Sequence, residues 1–432
     1  MKFLRSAAAC AAAIGLVASA SLPAAAQKEI KLGIIYDYTG PFAGGGSLPA
    51  AIATKIANDM INERGGVEGY KISATYADAQ SKADVAINEA ERLLNEVKVD
   101  VLMGVFSSAH CVPMAAKVDA AKKFMWANVC VASAVFKGKN LTHVFRAQVH
   151  SDQTGEASCQ FLSEIAKPKL KKDVKDIKVA IIHEDGPYGA GVAAGNKAKC
   201  KELGFDIVHE EGYAATSTDL SALVTKLRRA RPDVILHTGY NPDITLFMRQ
   251  AKEAGLKYSA LIGHGAGHAQ FDKLKAAFGD DVEYLFNVDP VAAQLLDPKA
   301  LQPGLGDLID EMVKRYKAET KATEVPSHVS MGFNQQWIFL TDVLPRAIKK
   351  YGGFDPEALR KAALDTDIPE GGTIQGYGVK FFPPGHQMSG QNERSLPVVM
   401  QFVKGQTKIA WPANLRTIDP VIPLPAGHAF AR

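Results

Sequence analysis

The sequence of 432 residues lacks the short motifs that identify the commonest hydrolases and nucleotide-binding enzymes. It has no G-x-S-x-G and no H-E-x-x-H segment. The run Gly44-Gly45-Gly46 is not followed by Lys-Ser or Lys-Thr, so it predicts a flexible loop rather than a phosphate cradle. We therefore predict no catalytic residues and no cofactor.

Candidate metal ligands are also scarce. His264 and His268 stand four residues apart, as in a metal-binding helix, but the glycines around them disfavour a helix. No carboxylate or cysteine lies close to them in sequence, and the chain has no C-x-x-C pair. The sequence therefore predicts no bound metal ion.

A strong charge of either sign is absent. The formal net charge is +4, and the one Lys/Arg block lies within Lys167–Lys178, as expected of a solvated helix end or loop. A nucleic-acid-binding protein needs clustered positive charge, so no nucleic-acid partner is predicted. No apolar run beyond the N-terminal region reaches the length of a membrane span.

The N-terminus has the composition of an export signal. Lys2 and Arg5 precede the apolar stretch Ala7–Ala20, and Ala24-Ala25-Ala26 provides an A-x-A cleavage site. The apolar stretch is too short and too rich in alanine to span a bilayer. We therefore predict cleavage near Ala26 and an exported protein.

An alternative is a lipoprotein anchored through Cys10, although only Ala7-Ala8-Ala9 precede this cysteine where a longer apolar run is expected. In either case the protein leaves the cytoplasm, where ATP and NAD(P)H are abundant. Its strand–glycine–helix units are therefore expected to hold another kind of ligand.

Four of the five cysteines follow the signal, namely Cys111, Cys130, Cys159 and Cys200. An even number in an oxidising compartment suits disulfide bonds, and three pairings are possible. We favour Cys111–Cys130 with Cys159–Cys200, because each bridge then stays within one predicted domain. Four buried thiols are the alternative.

Strand patterns alternate with amphipathic helices along most of the chain, beginning with a buried strand at Lys31–Tyr36. In the second predicted helix, Ile87, Ala90, Leu94 and Val97 recur at the three- and four-residue steps of one helical face. Further strands are expected at 72–76, 99–105, 124–129, 178–183, 205–210, 234–237, 259–262 and 283–289, with antiparallel strands at 378–382, 398–404 and 407–411. This order predicts an α/β protein with two parallel-sheet units, divided near residues 146–152.

Ligands of open α/β sheets bind beyond the carboxyl ends of the strands. Here Ser107 and Ser108 follow one strand, where hydroxyl groups and free backbone N–H groups at a helix start suit a carboxylate. Phe42, Tyr188 and Tyr240 follow other strands and offer flat apolar walls. The pattern predicts a hinged cleft that holds a small organic acid.

Simpler structural roles remain open for the same residues. Ser107 and Ser108 can serve only to cap a helix that starts near Pro113. Tyr188 and Tyr240 can be ordinary half-buried surface residues.

Several segments together resemble the periplasmic solute-binding proteins of ABC transporters, specifically the leucine/isoleucine/valine-binding family. The resemblance covers nearly all of the mature chain, and no single segment carries it alone. Its segments are Thr39-Gly40-Pro41, Ile61–Val67, Asp78, Gly104 with Ser107-Ser108, Ile181–Gly189, Gly239-Tyr240-Asn241-Pro242, Arg249-Gln250-Ala251 and Gly255-Leu256.

The resemblance implies two Rossmann-like lobes with parallel central sheets, joined by a three-stranded hinge and separated by the ligand cleft. With it we expect a signal peptide at 1–26, a first lobe of 27–148 plus 284–375, a second lobe of 149–283 plus 376–415, and a tail at 416–432. It also implies a periplasmic monomer that closes on its ligand and then meets ABC permease subunits in the inner membrane.

Carried over position by position, the resemblance assigns carboxylate binding to Ser108, beside Ser107. The family's second hydroxyl and backbone loop falls within Val129–Ser133, where Ser133 is the only hydroxyl. Its two cleft tyrosines match Tyr188 and Tyr240.

One departure concerns the ligand's amino group. The family holds this ammonium with an acidic residue in the loop 263–268, and the matching position here looks like Gly265. Glu184 or Asp185 from a neighbouring loop is one possible replacement. The simpler inference is a ligand without an α-amino group, because a desolvated ammonium without a carboxylate partner is costly.

A second departure widens the pocket. The bulky aromatic residue that narrows it in leucine binders appears here as Gly44 or Gly45. Both departures favour an aromatic or larger carboxylic acid without an amino group, with His264 or His268 donating to a ring substituent.

The family's usual disulfide in the first lobe is also missing, since Gln80 stands near one expected cysteine. Cys111–Cys130 is a candidate replacement.

Solute binding for uptake is therefore the leading functional hypothesis. A sensor that presents its ligand to a membrane receptor is the first alternative, and an exported hydrolase is the second. A DNA-binding regulator with this core is excluded by the export signal and by the lack of an N-terminal helix-turn-helix.

Overall fold

The structure is a computed structural model, and it describes residues 28–432. The predicted signal segment 1–26 and Cys10 lie outside the described residues. Within residues 28–432, every helix is too short or too polar to cross a bilayer.

The first lobe is built on a parallel sheet of five strands in the order β2-β1-β3-β4-β5. The strands are β1 Glu29–Tyr36, β2 Lys71–Asp78, β3 Val101–Gly104, β4 Met125–Ala127 and β5 Val144–Phe145. The helices are α1 Ser47–Glu63, α2 Ala83–Arg92, which continues as a π-helical turn Leu93–Val97, and α3 Ser108–Ala120. Ile34 and Ile35 of β1 are both fully buried although they point to opposite faces, because helices cover both sides of the sheet.

The second lobe is built on a sheet of seven strands in the order β12-β11-β10-β9-β8-β6-β7. The strands are β6 Lys178–Glu184, β7 Asp206–Tyr213, β8 Val234–Thr238, β9 Ala260–His264, β10 Phe286–Asp289, β11 Val398–Val403 and β12 Gln406–Trp411. The helices are α4 Ser151–Ile165, α5 Pro187–Leu203, α6 Ser221–Ala230, α7 Asn241–Glu253 and α8 Phe271–Phe278. The strand pairs among β6 to β10 are parallel, whereas β11 pairs antiparallel with β10 and with β12.

Four further helices follow β10 in the chain, and the first two pack against α1 of the first lobe. They are α9 Leu305–Thr320, α10 Ser327–Ile338, α11 Leu344–Tyr351 and α12 Pro356–Leu364. A π-helical turn at Phe339–Val343 separates α10 from α11. Pro345, which has no backbone N–H to donate, lies just after that turn.

Each predicted strand is found except one, and the structure adds the two-residue strand β5, which the sequence does not predict. The strand predicted at Gly378–Phe382 forms only isolated bridges, between Ile368 and Val379 and between Phe381 and Asn392. Two prolines follow Phe382 directly, and proline cannot donate to a strand ladder.

The chain passes between the two lobes three times, around residues 146–151, 289–293 and 392–398. Two of these crossings are joined by side-chain amides. Gln391 Nε2 donates to the carbonyl of Gln148 at 2.6 Å, and Asn392 Nδ2 donates to the carbonyl of Ala147 at 2.9 Å. The two-lobe α/β architecture with parallel central sheets is confirmed.

The crossings lie later in the chain than the expected boundaries at 284 and 376. Strand β10 is hydrogen-bonded between β9 and β11, so residues 286–289 belong to the second sheet. Val379 and Phe381 are buried in the apolar core of the first lobe, where Phe381 packs edge-on against Phe145. We therefore propose lobe boundaries near 290 and 396 instead.

The cysteines pair as predicted. Cys111 of α3 is bonded to Cys130, with a Cα–Cα distance of 6.3 Å. Cys159 of α4 is bonded to Cys200 of α5, with a Cα–Cα distance of 5.2 Å. Each bridge lies within one lobe.

The tail 416–432 runs along the second lobe and is anchored to it. Phe430 is buried and stacks on Tyr258, with ring centroids 5.2 Å apart. Arg432 Nη1 lies 2.9 Å from Oδ1 of Asp233.

Candidate functional site

A small cavity lies between the two lobes, at the carboxyl ends of their parallel strands. Its walls are Phe106, Ser108, Val129, Val131, Thr154, Tyr188, Tyr240, Gly265, Ala266, Asp289, His328 and Met331. Its volume is only about 30 Å³. An organic acid therefore enters only when the lobes separate or the aromatic walls turn aside.

The N-terminus of α3 points at this cavity. Ser107 is the N-cap, and its Oγ accepts a hydrogen bond from Ala109 N at 3.3 Å. The helix thus begins at Ser108, earlier than the start expected near Pro113, and Pro113 lies inside it. The positive end of the helix dipole favours an anion at this place, and Ser108 N–H is the first-turn amide for which the described residues provide no acceptor.

The helix can start here because Gly104 ends β3 with a sharp turn of the chain. Gly104 has a φ of +104°, and an added Cβ would come 2.2 Å from the carbonyl oxygen of Ile35. Only glycine combines this backbone conformation with so close an approach to β1. Residues 105–108 are thereby directed into the cleft.

Ser108 and the loop after β4 form one polar wall. Ser108 Oγ accepts a hydrogen bond from Ala132 N at 3.1 Å, which leaves its own proton free to donate. Among the residues that the structure describes, no acceptor is recorded for the amide N–H of Val129 or of Val131. These groups are suited to the oxygens of a carboxylate.

The second lobe provides the aromatic wall. Tyr188 is held by its hydroxyl group, which donates to the carbonyl of His264 at 2.6 Å. The Tyr240 ring lies 5.5 Å from the ring of Tyr188, and its hydroxyl oxygen is 3.5 Å from Ser107 Oγ of the first lobe. Both tyrosines are buried, so they are not surface residues of an open groove.

Aromatic rings of the first lobe close the cavity from the other side. Phe42 is half-buried and packs on Tyr240, with ring centroids 4.3 Å apart, without itself lining the cavity. Phe106 lines the cavity, and its ring centroid lies 6.1 Å from that of Tyr240. The apolar part of a solute would meet these rings.

A carboxylate that the sequence analysis did not nominate, Asp289, also lines the cavity. It is the last residue of β10, and its Oδ2 accepts a hydrogen bond from the hydroxyl of Ser327 at the start of α10. Burial raises the pKa of Asp289 to about 7, and the hydrogen bond from Ser327 offsets only part of this effect.

Ser133 does not line the cavity. Its Oγ lies 3.0 Å from Oγ of Ser151 and 3.1 Å from Nδ1 of His150, and it accepts from Asp152 N at 3.3 Å. These contacts turn the hydroxyl toward the start of α4 and away from the cleft. Thr154 of α4 lines the cavity instead.

The side chains of His264 and His268 also lie away from the cavity, inside the second lobe. His264 Nε2 accepts from Asn196 at 3.3 Å, so Nδ1 carries the proton and donates to Thr238 Oγ1 at 2.9 Å. The His268 ring packs edge-on against His237, with centroids 5.0 Å apart. Burial lowers the pKa of His264 to about 4 and that of His268 to about 3, so both are neutral.

The two acids considered as ammonium partners are placed elsewhere. Glu184 accepts from the backbone N–H groups of Gly186 and Gly189 and thus caps the start of α5. Asp185 is exposed. Neither residue lines the cavity.

The residues missed by the sequence analysis come from two sources. Asp289 ends a correctly predicted strand, so the strand-end rule would have found it had the rule been applied to β10. His328 and Met331 lie on α10, whose approach to the cleft depends on packing against α1 and leaves no local signal in the sequence.

Within residues 28–432, no cluster of three or more His, Cys, Asp or Glu side chains has the arrangement of a metal site. The cavity thus combines a helix N-terminus and free amides on one side with aromatic rings and one buried carboxylate on the other. Such a site holds a small molecule by hydrogen bonds and apolar contacts.

Comparison with known proteins gives consistent results. The family described as periplasmic binding protein matches residues 29–399. The Leu/Ile/Val-binding protein homolog 7 of Brucella suis biovar 1 (strain 1330) is 32% identical over 400 residues, which cover 93% of this chain and 96% of that protein.

Two solved structures have a similar fold. LivJ of Streptococcus pneumoniae, a branched-chain amino acid substrate-binding protein in complex with isoleucine, gives a TM-score of 0.71 at 18% identity and covers 89% of this chain and 100% of LivJ. An ABC transporter solute-binding protein of Rhodopseudomonas palustris in complex with benzoate gives a TM-score of 0.69 at 16% identity, covering 88% of this chain and 95% of that protein.

Proposed function

The chain belongs to the periplasmic binding protein family and is of the Leu/Ile/Val-binding type, and from this premise we propose that it captures a small solute for an ABC importer. The two lobes close on a solute that carries a carboxylate group. The closed protein then delivers the solute, as a monomer, to permease subunits in the inner membrane. The family consists of periplasmic solute-binding proteins and is not a class of enzymes.

The observation that carries the proposal is the division of one cavity between two lobes. The carboxylate is received by the α3 N-terminus, Ser108 and the amides of Val129 and Val131. Tyr188 and Tyr240 of the second lobe cover the rest of the solute. Neither lobe alone offers a complete site, so bound solute favours the closed arrangement by its difference in affinity for the two states.

Several contacts across the cleft support closure of the lobes around the cavity. Lys273 Nζ of the second lobe donates to the carbonyl of Gly44 in the first. Gln270 Nε2 of the second lobe donates to Nδ1 of His328 at 3.3 Å. These contacts must break when the lobes separate to admit a solute.

The fold by itself does not select a ligand class, since relatives of this shape are known with isoleucine and with benzoate. Gly265 favours an aromatic or other carboxylic acid without an amino group, the proposal that the sequence suggests, whereas Gly44 and Gly45 do not line the cavity and so do not widen it. A solute without an amino group is expected only where the cleft has no acidic side chain. Asp289 supplies such a side chain and favours a solute that carries an amino group as well.

A panel of solutes tests the proposal. Thermal unfolding of the mature protein is measured with α-amino acids, aromatic acids and aliphatic acids, because a ligand bound only by the folded form raises the melting temperature. At least one carboxylate should do so and bind in calorimetry with one solute per chain. The primary amide of that solute is the matched control and should bind at least about tenfold more weakly, since it lacks the charge.

Two outcomes would contradict the proposal. One is a panel in which no carboxylate changes the melting temperature. The other is chemical conversion of the solute, which would point to an exported hydrolase. Uptake of the labelled solute by cells distinguishes an importer from a sensor. Loss of the protein abolishes uptake if it serves an importer and leaves uptake intact if it serves a sensor.

A further inference from the structure

Asp289 reaches the point where the side chain of residue 265 would otherwise lie. A Cβ added to Gly265 would be 3.0 Å from Asp289 Oδ1 and 3.2 Å from the hydroxyl oxygen of Tyr188. Gly265 also has a φ of +37°, which side-chain-bearing residues rarely adopt. The glycine at the position expected to carry an acid therefore makes room for a carboxylate that arrives from β10.

This carboxylate has no cationic partner within the protein. Two titratable groups face it across the cavity: Tyr188 from α5 and His328 from α10. Burial lowers the pKa of His328 to about 4, so this histidine is neutral near pH 7, and burial raises the pKa of Tyr188 well above its ordinary value. Among residues 28–432, no Lys or Arg forms an ion pair with Asp289.

An ionised carboxylate buried beside neutral groups is costly, and a positive charge brought into the cavity would remove that cost. The opposite wall already offers the α3 N-terminus and free amides to an anion. The cavity therefore has one place for a negative group and one for a positive group.

We infer that Asp289 receives the ammonium group of the solute, so that this protein selects zwitterionic amino acids over carboxylic acids of the same shape without an amino group. The inference rests on the proposed function, because it assumes that the solute's carboxylate is held at α3. It also explains how an amino acid can be bound although Gly265, Glu184 and Asp185 offer it no carboxylate.

Matched pairs of solutes test the inference by calorimetry. L-leucine is compared with 4-methylpentanoate, and L-phenylalanine with 3-phenylpropanoate, since the members of each pair differ only at the amino group. The amino acid of at least one pair should bind about 100-fold more tightly than its partner. Tighter binding of the amino-less acid would overturn the inference and leave the proposed function intact, whereas no binding by any member would contradict both.

Two variants locate the effect. Asp289→Asn should reduce the preference within the pair by about 100-fold and leave the affinity for the amino-less acid within about threefold. Glu184→Gln removes a different buried acid near the cleft and should leave the preference unchanged. An unchanged preference in Asp289→Asn would overturn the inference.

Proton exchange on binding gives a test that needs no variant. Below about pH 7 Asp289 is protonated in the empty protein, so binding of an ammonium group must release a proton. The affinity should therefore fall about tenfold for each unit by which the pH is lowered below 7. Titrations at pH 6 in buffers of different ionisation enthalpy measure this proton. Uptake of a proton at pH 8 would instead indicate an anion next to Asp289, and the inference would fail.

Discussion

Phe42 of the first lobe and Tyr240 of the second are in contact across the cleft, with ring centroids 4.3 Å apart and ring planes 34° from parallel. Tyr240 also faces the cavity, whereas Phe42 lies behind it. Tyr240 therefore takes part both in the contact between the lobes and in the wall of the cavity. The same residue thus serves both the closure of the lobes and the covering of the solute.

Replacing Tyr240 should weaken solute binding. In Tyr240→Ala the buried ring is lost from the cavity wall and from the contact with Phe42, which should cost about 1–3 kcal/mol of binding free energy. Tyr240→Phe keeps the ring and removes only the hydroxyl, so its affinity should stay within about threefold of the wild type. Calorimetry with the best solute of the panel measures both, and equal affinities for all three proteins would remove Tyr240 from the site.

Ser108 and Ser133 should differ in their effect on binding. Ser108→Ala removes a donor to the carboxylate and leaves Ala132 N without its acceptor, so the dissociation constant should rise about tenfold or more. Ser133→Ala should leave it nearly unchanged, because this hydroxyl faces Ser151 and His150. A larger loss of affinity in Ser133→Ala than in Ser108→Ala would show that the carboxylate lies nearer α4 than α3.

The two disulfides should have separable effects. Each cysteine pair replaced by alanine should lower the free energy of unfolding by about 2–4 kcal/mol. Only loss of Cys111–Cys130 should also weaken binding, because this bond ties α3 to the loop that contains Val129. The Cys159–Cys200 variant is the control, since its bond joins α4 to α5 away from the cavity wall.

Thiol titration checks the pairing itself. The native protein should show no free thiol after removal of the signal, and the reduced, unfolded protein should show all four. Equal counts before and after reduction would contradict both bridges.

The stability of the empty protein should depend on Asp289 in a pH-dependent way. Its pKa is raised from 3.8 to about 7 in the folded state, so its contribution is fully present below about pH 4 and is lost as the pH rises through 7. Asp289→Asn should therefore gain stability relative to the wild type between pH 4 and pH 8, by more than about 1.4 kcal/mol.

Denaturant unfolding at several pH values measures this difference. Asp37 and Asp243, whose pKa values burial also raises to about 7, are present in both proteins and cancel in the comparison. A difference that stays constant with pH would show that Asp289 is ionised without cost.

The fold is predictable from the sequence because the local periodicity of each strand and helix agrees with their alternating order along the chain. Alternating strands and amphipathic helices specify two parallel sheets. The strand-end rule then identifies Ser108, Tyr188 and Tyr240 as cavity residues, and the family resemblance adds Val129. Helix α3 starts five residues before the predicted start near Pro113, because a helix can continue past a proline at the loss of one hydrogen bond.

The parts of the site that escaped prediction depend on distant contacts. The position of His328 follows from packing of α10 on α1, which no local pattern encodes. His264 was expected in the cleft because of its place after β9, but its ring is turned inward by hydrogen bonds to Thr238 and Asn196. The resemblance places the acid of the cleft at residue 265, whereas Asp289 is distant in sequence and approaches Gly265 only in space.

The location of Asp289 at the end of β10 places it beside one of the three passages of the chain between the lobes. A rotation displaces each atom in proportion to its distance from the axis, so a group at the pivot travels far less than the rim of the cleft. Asp289 therefore keeps nearly the same place before and after the movement. On our inference, a solute can bind at Asp289 first through its amino group. The rim of the cleft then closes over a solute that is already oriented.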